Sequence, residues 1–168
     1  MPPDAQSHAS APASPAPIRV LCVDDYLKLT EVLRSFIDAQ PDMRCVGCLT
    51  SAGDLAESVR RVCTPTPANP PDAATPLVVI LDASMPGKDP FEAASELAAA
   101  FPEVKTIFYS GHNDREIIER VKSVGARGFV TKGGDPTIVL QAVREVAAGR
   151  VVIPGVGRTS VPPGATPR

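Results

Sequence analysis

Apolar residues along this chain alternate between two spacings: short, nearly unbroken runs, and stretches in which apolar positions return every three or four residues. The runs are "IRVLCV" (18–23), "MRCVGC" (43–48), "LVVIL" (77–81), "KTIFYS" (105–110) and "GFVT" (128–131). Runs of this length between turn residues predict strands, and the other spacing predicts amphipathic helices. One helical stripe follows each run: Leu29, Val32, Leu33, Phe36 and Ile37; then Leu55, Val59 and Val62; then Phe91, Ala94, Ala98 and Phe101; then Ile117, Ile118 and Val121; last Val139, Ala142, Val143 and Val146. Helix starts agree. Asp89-Pro90 and Asp135-Pro136 each put a capping carboxylate before a proline suited to the first helical turn, and Asn113 with Glu116 resembles a capping box. Five strand–helix units predict an α/β domain with a five-stranded parallel sheet, and right-handed crossovers place helices on both of its faces.

Proline sets the predicted edges. Of 19 prolines, 14 fall within residues 1–17, 64–76 and 154–168, which are also rich in Ala, Ser, Thr and Gly. Such composition favours extended chain, so the expected organisation is one domain over 18–153 with a flexible loop at 64–76 and disordered tails at 1–17 and 154–168. The formal net charge of -2 gives no basic stripe for nucleic acid or an anionic membrane. The N-terminus lacks the basic start and apolar segment of a signal peptide, and no apolar run reaches membrane-spanning length. A cytoplasmic protein is expected.

Cys45 and Cys48 form a C-x-x-C, but on a strand residues three apart point to opposite faces, and no second pair supplies further metal ligands. Buried structural thiols are the expectation there, as for Cys22 and Cys63 on apolar faces.

The chemistry gathers at strand ends. The third strand, apolar throughout, runs into a carboxylate in "LDASMPG", Asp82; the first runs into Asp24-Asp25, the fourth ends on Ser110 and the fifth leads to Lys132. Singly, each has a plain reading: paired aspartates cap turns, and a loop hydroxyl or lysine is ordinary surface, as is His112. Jointly they point elsewhere, because open parallel sheets bind ligands beyond the carboxyl ends of their strands, and a 2-1-3-4-5 order would bring these groups to one rim. Three crowded carboxylates call for a cation, and oxygen ligands with open positions suit Mg2+. The Asp82 carboxylate could then attack phosphorus to form an aspartyl phosphate, held by the Lys132 ammonium and the Ser110 hydroxyl.

The acid pair, "LDASMPG", "YSGH" and "GARGFVTK" together resemble the receiver domain of bacterial two-component response regulators, over residues 18–150. The resemblance implies a flavodoxin-like (βα)5 fold of sheet order 2-1-3-4-5 and a histidine kinase or histidine phosphotransferase as phosphodonor to Asp82. It implies Mg2+ ligation by Asp25, Asp82 and the Ser84 backbone carbonyl, with Asp24 acting mainly through water. Ser110 matches the switch hydroxyl, Phe129 the switch aromatic and Lys132 the family's lysine. On phosphorylation, Ser110 would move toward the phosphoryl group and Phe129 would swing inward.

"GFVTKGGDPTIVLQAVREVAAGR" most resembles members that carry a helix-turn-helix output domain, yet the residues after Gly149 are too few for one, so a stand-alone receiver is expected. Tyr26 stands where the family favours a small polar or acidic residue, Gly133 where many have proline, and Pro90 where glycine is common. Three function classes follow: a switch that binds an unidentified downstream protein, a phosphorelay carrier, or a phosphate-independent interaction module with Tyr26 blocking the metal. The protein is expected to be a monomer or weak homodimer. A turnover enzyme is not expected beyond self-phosphotransfer and autodephosphorylation, since haloacid-dehalogenase phosphatases want a second aspartate where Ser84 stands.

Overall fold

The computed structural model describes residues 16–65 and 75–155. The expected tails (1–17, 154–168) and the 64–76 loop therefore lie mostly outside the described residues. In chain order the elements are β1 (Ile18–Val23), α1 (Leu27–Asp38), β2 (Met43–Leu49), a 3-10 turn (Ala52–Asp54), α2 (Leu55–Cys63), β3 (Leu77–Asp82), α3 (Pro90–Ala100), β4 (Lys105–Ser110), α4 (Arg115–Ser123), β5 (Gly128–Thr131) and α5 (Pro136–Ala147). The strands pair in parallel in the order β2-β1-β3-β4-β5. All five strands predicted from the apolar runs are present, in the flavodoxin-like order.

Burial explains why β3 shows no alternation: all six of its residues are buried, as a central strand covered on both faces requires. One face packs Val20, Val78, Ile80 and Ile107 against Leu33 and Ile37 of α1 and Val139, Val143 and Val146 of α5. The other packs Leu21, Val79, Leu81 and Phe108 against Leu55 and Val59 of α2, Phe91 and Leu97 of α3, and Val121 of α4. The Phe91 and Phe108 rings stack there at 4.6 Å between centroids. β5 approaches β4 so closely that a Cβ on Gly128 would lie 2.8 Å from Ile107 Cγ1. Beyond α5 the chain returns to the sheet, where Val152 bridges Gly128 in parallel, an extension absent from the sequence-based reading.

Four details correct that reading. The α4 cap is Asp114, whose carboxylate accepts from the Ile117 N–H at 3.0 Å, and not Asn113. An N-cap side chain reaches the third helical N–H, so the carboxylate one residue nearer the helix takes the position. On α1, Val32 and Phe36 are exposed, and the buried stripe is Thr30, Leu33 and Ile37. On α3, Ala98 is exposed and Leu97 takes the buried place. Lastly, Cys45 and Cys48 do not face opposite ways. The register runs Val20↔Cys45 and then Leu21↔Gly47, so a bulge at Val46 adds one residue and returns Cys48 to the face of Cys45, opposite Cys22. The Cys45 and Cys48 Sγ atoms are 3.9 Å apart.

Candidate functional site

Each site residue sits where a strand stops. β1 ends at Val23, and Asp24 follows it into the turn that starts α1; β3 ends on Asp82 itself. Parallel pairing of β1 with β3 sets Val23 beside Leu81, which brings the two carboxylate-bearing ends together. Asp82 is in register with Tyr109, and Ser110 with Thr131, so β4 and β5 deliver the hydroxyl and Lys132 to the same rim. The Lys132 N–H donates to the Ser110 carbonyl at 2.7 Å, extending the ladder just beyond β5.

The three aspartates converge: one carboxylate oxygen from each of Asp24, Asp25 and Asp82 lies within 4.8 Å of the others. Asp24 is 2% exposed and Asp82 5%, while Asp25 faces solvent, so the cluster is walled on two sides and open on the third. Both buried carboxylates are anchored alike. Asp24 Oδ1 accepts from the Tyr26 N–H at 2.9 Å and Asp82 Oδ1 from the Ser84 N–H at 3.0 Å, in tight turns that also aim the second oxygen. Those second oxygens meet one cation: Lys132 Nζ lies 2.5 Å from Asp24 Oδ2 and 3.0 Å from Asp82 Oδ2.

Ionisation follows from this crowding. Burial pushes the Asp82 carboxyl above the usual range, and the Ser84 N–H and Lys132 ammonium pull it back only in part. Burial alone would lower Lys132, but its hydrogen bonds to Asp24 and Asp82 outweigh that and leave it raised. One ammonium thus serves two buried carboxylates, with a third beside them. The donor set is all oxygen, without sulfur or imidazole, and fits a hard divalent cation.

Ser110 is buried, and its Oγ accepts from the His112 N–H at 3.1 Å; His112 itself is exposed. Phe129 is 5% exposed and packs in the cluster that includes Val121 of α4, so its ring is inward in this conformation. Tyr26 meets the site through its backbone N–H, and its side chain is exposed.

Two neighbours escaped the sequence reading. Tyr109 places its ring centroid 5.7 Å from Lys132 Nζ. Arg120 on α4 pairs with Asp89 at 2.7 Å and lies 3.9 Å over the Phe91 ring, tying α4 to the loop that leaves Asp82. Asp89 was legible only as a cap, and nothing in the spacing of Arg120 announces a partner 31 residues away.

A family model described as the response regulator receiver domain matches residues 20–144. The response regulator UvrY of Escherichia coli is 30% identical over 133 residues, covering 79% of this chain and 56% of its own. The DNA-binding transcriptional activator DevR/DosR of Mycobacterium tuberculosis is 28% identical over 136 residues, 81% of this chain and 57% of that one. The chain thus spans about half the length of these curated relatives. Among solved structures, the signal receiver domain of NarL from Mycobacterium tuberculosis superposes with a TM-score of 0.69 at 23% identity, over 81% of this chain and 100% of that one. A two-component response regulator of the LuxR family from Aurantimonas gives 0.70 at 23%, over 83% and 91%. Both show the shared fold. No described helix is long and apolar enough to cross a membrane.

Proposed function

The chain belongs to the response regulator receiver domain family of two-component signal transduction, and from that premise we propose that it is a switch phosphorylated on Asp82 by a histidine kinase or histidine phosphotransferase. The observation that carries the proposal is the shared ammonium: Lys132 binds Asp24 and Asp82 at once, beside Asp25, at the carboxyl rim of the sheet. When bound by Asp24, Asp25, Asp82 and the Ser84 carbonyl, Mg2+ would supply the positive charge that lets a phosphoryl group approach this acidic rim.

The chain's own groups do the rest. An Asp82 carboxylate oxygen attacks phosphorus, the bond from phosphorus to the donor atom breaks, and the donor leaves with the bonding pair. The Ser84 N–H holds Oδ1, so Oδ2 is the oxygen positioned toward Lys132 and the incoming group. Lys132 then exchanges its carboxylate partner for phosphoryl oxygens, and Ser110 Oγ, a hydrogen-bond acceptor toward His112, can donate its own proton to them. Turnover is limited to this self-transfer and to hydrolysis of the acyl phosphate by water.

Phosphorylation would favour the arrangement with Phe129 inward, the one seen here, over others in which α4 sits differently. The ion pair from Arg120 to Asp89 links α4 to the β3–α3 loop, so the α4–β5–α5 face is the proposed binding surface for a downstream protein. Tyr26 has an exposed side chain, which favours an open metal site over the phosphate-independent module.

Incubation with acetyl phosphate and Mg2+, followed by intact mass measurement, tests the proposal. A gain of one phosphoryl group that needs Mg2+ and disappears in Asp82→Asn is expected; a gain that survives the substitution would falsify the assignment.

A further inference from the structure

Three of the four cysteines lie together, on the opposite edge of the sheet from α4. The bulge at Val46 is the cause, since without it Cys48 would point to the other face. Cys22 and Cys48 are register partners on β1 and β2, and Cys45 Sγ lies 3.9 Å from Cys48 Sγ. α1 covers the group: the Cys48 thiol donates to the Thr30 carbonyl at 3.7 Å. Cys22 is wholly buried, Cys45 is 7% exposed, and Cys48 is partly open to solvent.

We propose that Cys45 and Cys48 form an oxidisable dithiol, which a hydroperoxide converts to a disulfide at a site separate from the carboxylate cluster. The geometry supports the pairing. The two sulfurs are 3.9 Å apart and a disulfide bond is about 2.0 Å long, so they must close on each other; they lie on β2, an edge strand carrying a bulge and Gly47 between the two thiols. The attacking group is Cys45. Its thiol is pulled down to about 6, first by the hydrogen bond from Cys22 and further by the Arg34 guanidinium, against the opposing effect of burial. A thiolate beside a cation is the reactive form of cysteine.

The Cys45 sulfur attacks a peroxide oxygen, the O–O bond breaks, and the leaving hydroxide takes up a proton, which leaves Cys45 as a sulfenic acid. Cys48 sulfur then attacks Cys45 sulfur; the S–O bond breaks as the S–S bond forms, and the Cys48 proton departs with the hydroxyl as water. With hydrogen peroxide, two thiols are oxidised and one peroxide becomes two waters. Cys22 positions Cys45 and is not consumed.

Trypsin isolates each thiol group for the test, because Cys45 and Cys48 share the peptide 45–60, Cys22 falls in 20–28 and Cys63 in 62–88. The full chain is treated with hydrogen peroxide at neutral pH, alkylated and digested. Peptide 45–60 is expected to lose two hydrogens, take no alkyl group and recover both alkyl groups after dithiothreitol, while the other two peptides stay alkylated. Cys22→Ser should form this disulfide more slowly, because the hydrogen bond that lowers Cys45 is altered, but still within peptide 45–60, and Cys45→Ser should leave Cys48 fully alkylatable. A cross-link between 20–28 and 45–60 overturns the pairing. Oxidation of Cys63 ahead of 45–60, or thiols that stay reduced at all four positions, overturns the site.

Discussion

Replacing Lys132 with methionine keeps most of the side-chain volume and removes the charge that Asp24 and Asp82 share. Their side chains are 3% and 6% exposed, and Nζ lies 2.5 and 3.0 Å from their oxygens, so the variant leaves two buried carboxylates without their shared cation. Unit charges 4 Å apart attract by about 4 kcal/mol near a protein surface, partly offset by the desolvation of all three groups. Removing one partner of a buried pair costs about 3–5 kcal/mol; the 22% exposure of the Lys132 side chain puts the expected loss near the lower end. At about 2–4 °C per kcal/mol, the melting temperature should fall by roughly 6–12 °C in EDTA, followed by far-ultraviolet circular dichroism.

Two further readings of the same experiment check the cause. Saturating Mg2+, at about 100 times its Kd, should add about 2.7 kcal/mol to either protein by linkage, and more to Lys132→Met if affinity rises when the competing ammonium is gone. The pH dependence has a definite sign. Asp82 already has a raised pKa, so the folded state binds its proton more tightly than the unfolded one. That stabilisation is present at low pH and is lost as pH rises through the folded value. Without Lys132 the value rises further, and the deficit of the variant should grow from acid toward neutral pH. A loss below about 1 kcal/mol, as for an exposed pair, would refute the reasoning, as would a deficit indifferent to both Mg2+ and pH.

By the same linkage Asp82→Asn, which removes a charge that burial disfavours, should melt higher than the parent in EDTA at neutral pH and lose this advantage in acid; a lower melting point at neutral pH contradicts the raised pKa. Gly128→Ala would place a Cβ 2.8 Å from Ile107 Cγ1 and should destabilise by about 1–3 kcal/mol in urea unfolding; a neutral result would mean that β4 and β5 are less closely apposed. Asp114→Ala should lose about 1 kcal/mol with the α4 cap, whereas Asn113→Ala should change little; the reverse ranking would restore the capping box suggested by sequence.

Periodicity made the fold legible because each β-α unit buries its apolar residues locally, on one stripe or one strand. β3, buried on both faces, announced itself as an apolar run ending at Asp82. The site was legible because strand ends carry it: Asp24, Asp82, Ser110 and Lys132 each follow directly from where a strand stops. What escaped depends on pairing between distant segments. The bulge at Val46 exists only relative to β1, so the shared face of Cys45 and Cys48 cannot be read from β2 alone. The exposure of Val32 and Phe36 is likewise set by which side of α1 meets the sheet, a choice their helical spacing leaves open. Arg120 finds Asp89 only once α3 and α4 lie side by side.

The most direct measurement localises the phosphoryl group. Borohydride reduces an aspartyl phosphate to homoserine, which proteolysis and mass spectrometry place at a single residue. After acetyl phosphate and Mg2+, homoserine is predicted at position 82, with none when Mg2+ is withheld. Homoserine at 24 or 25, or an unmodified Asp82 in protein that has taken up phosphate, would contradict the account.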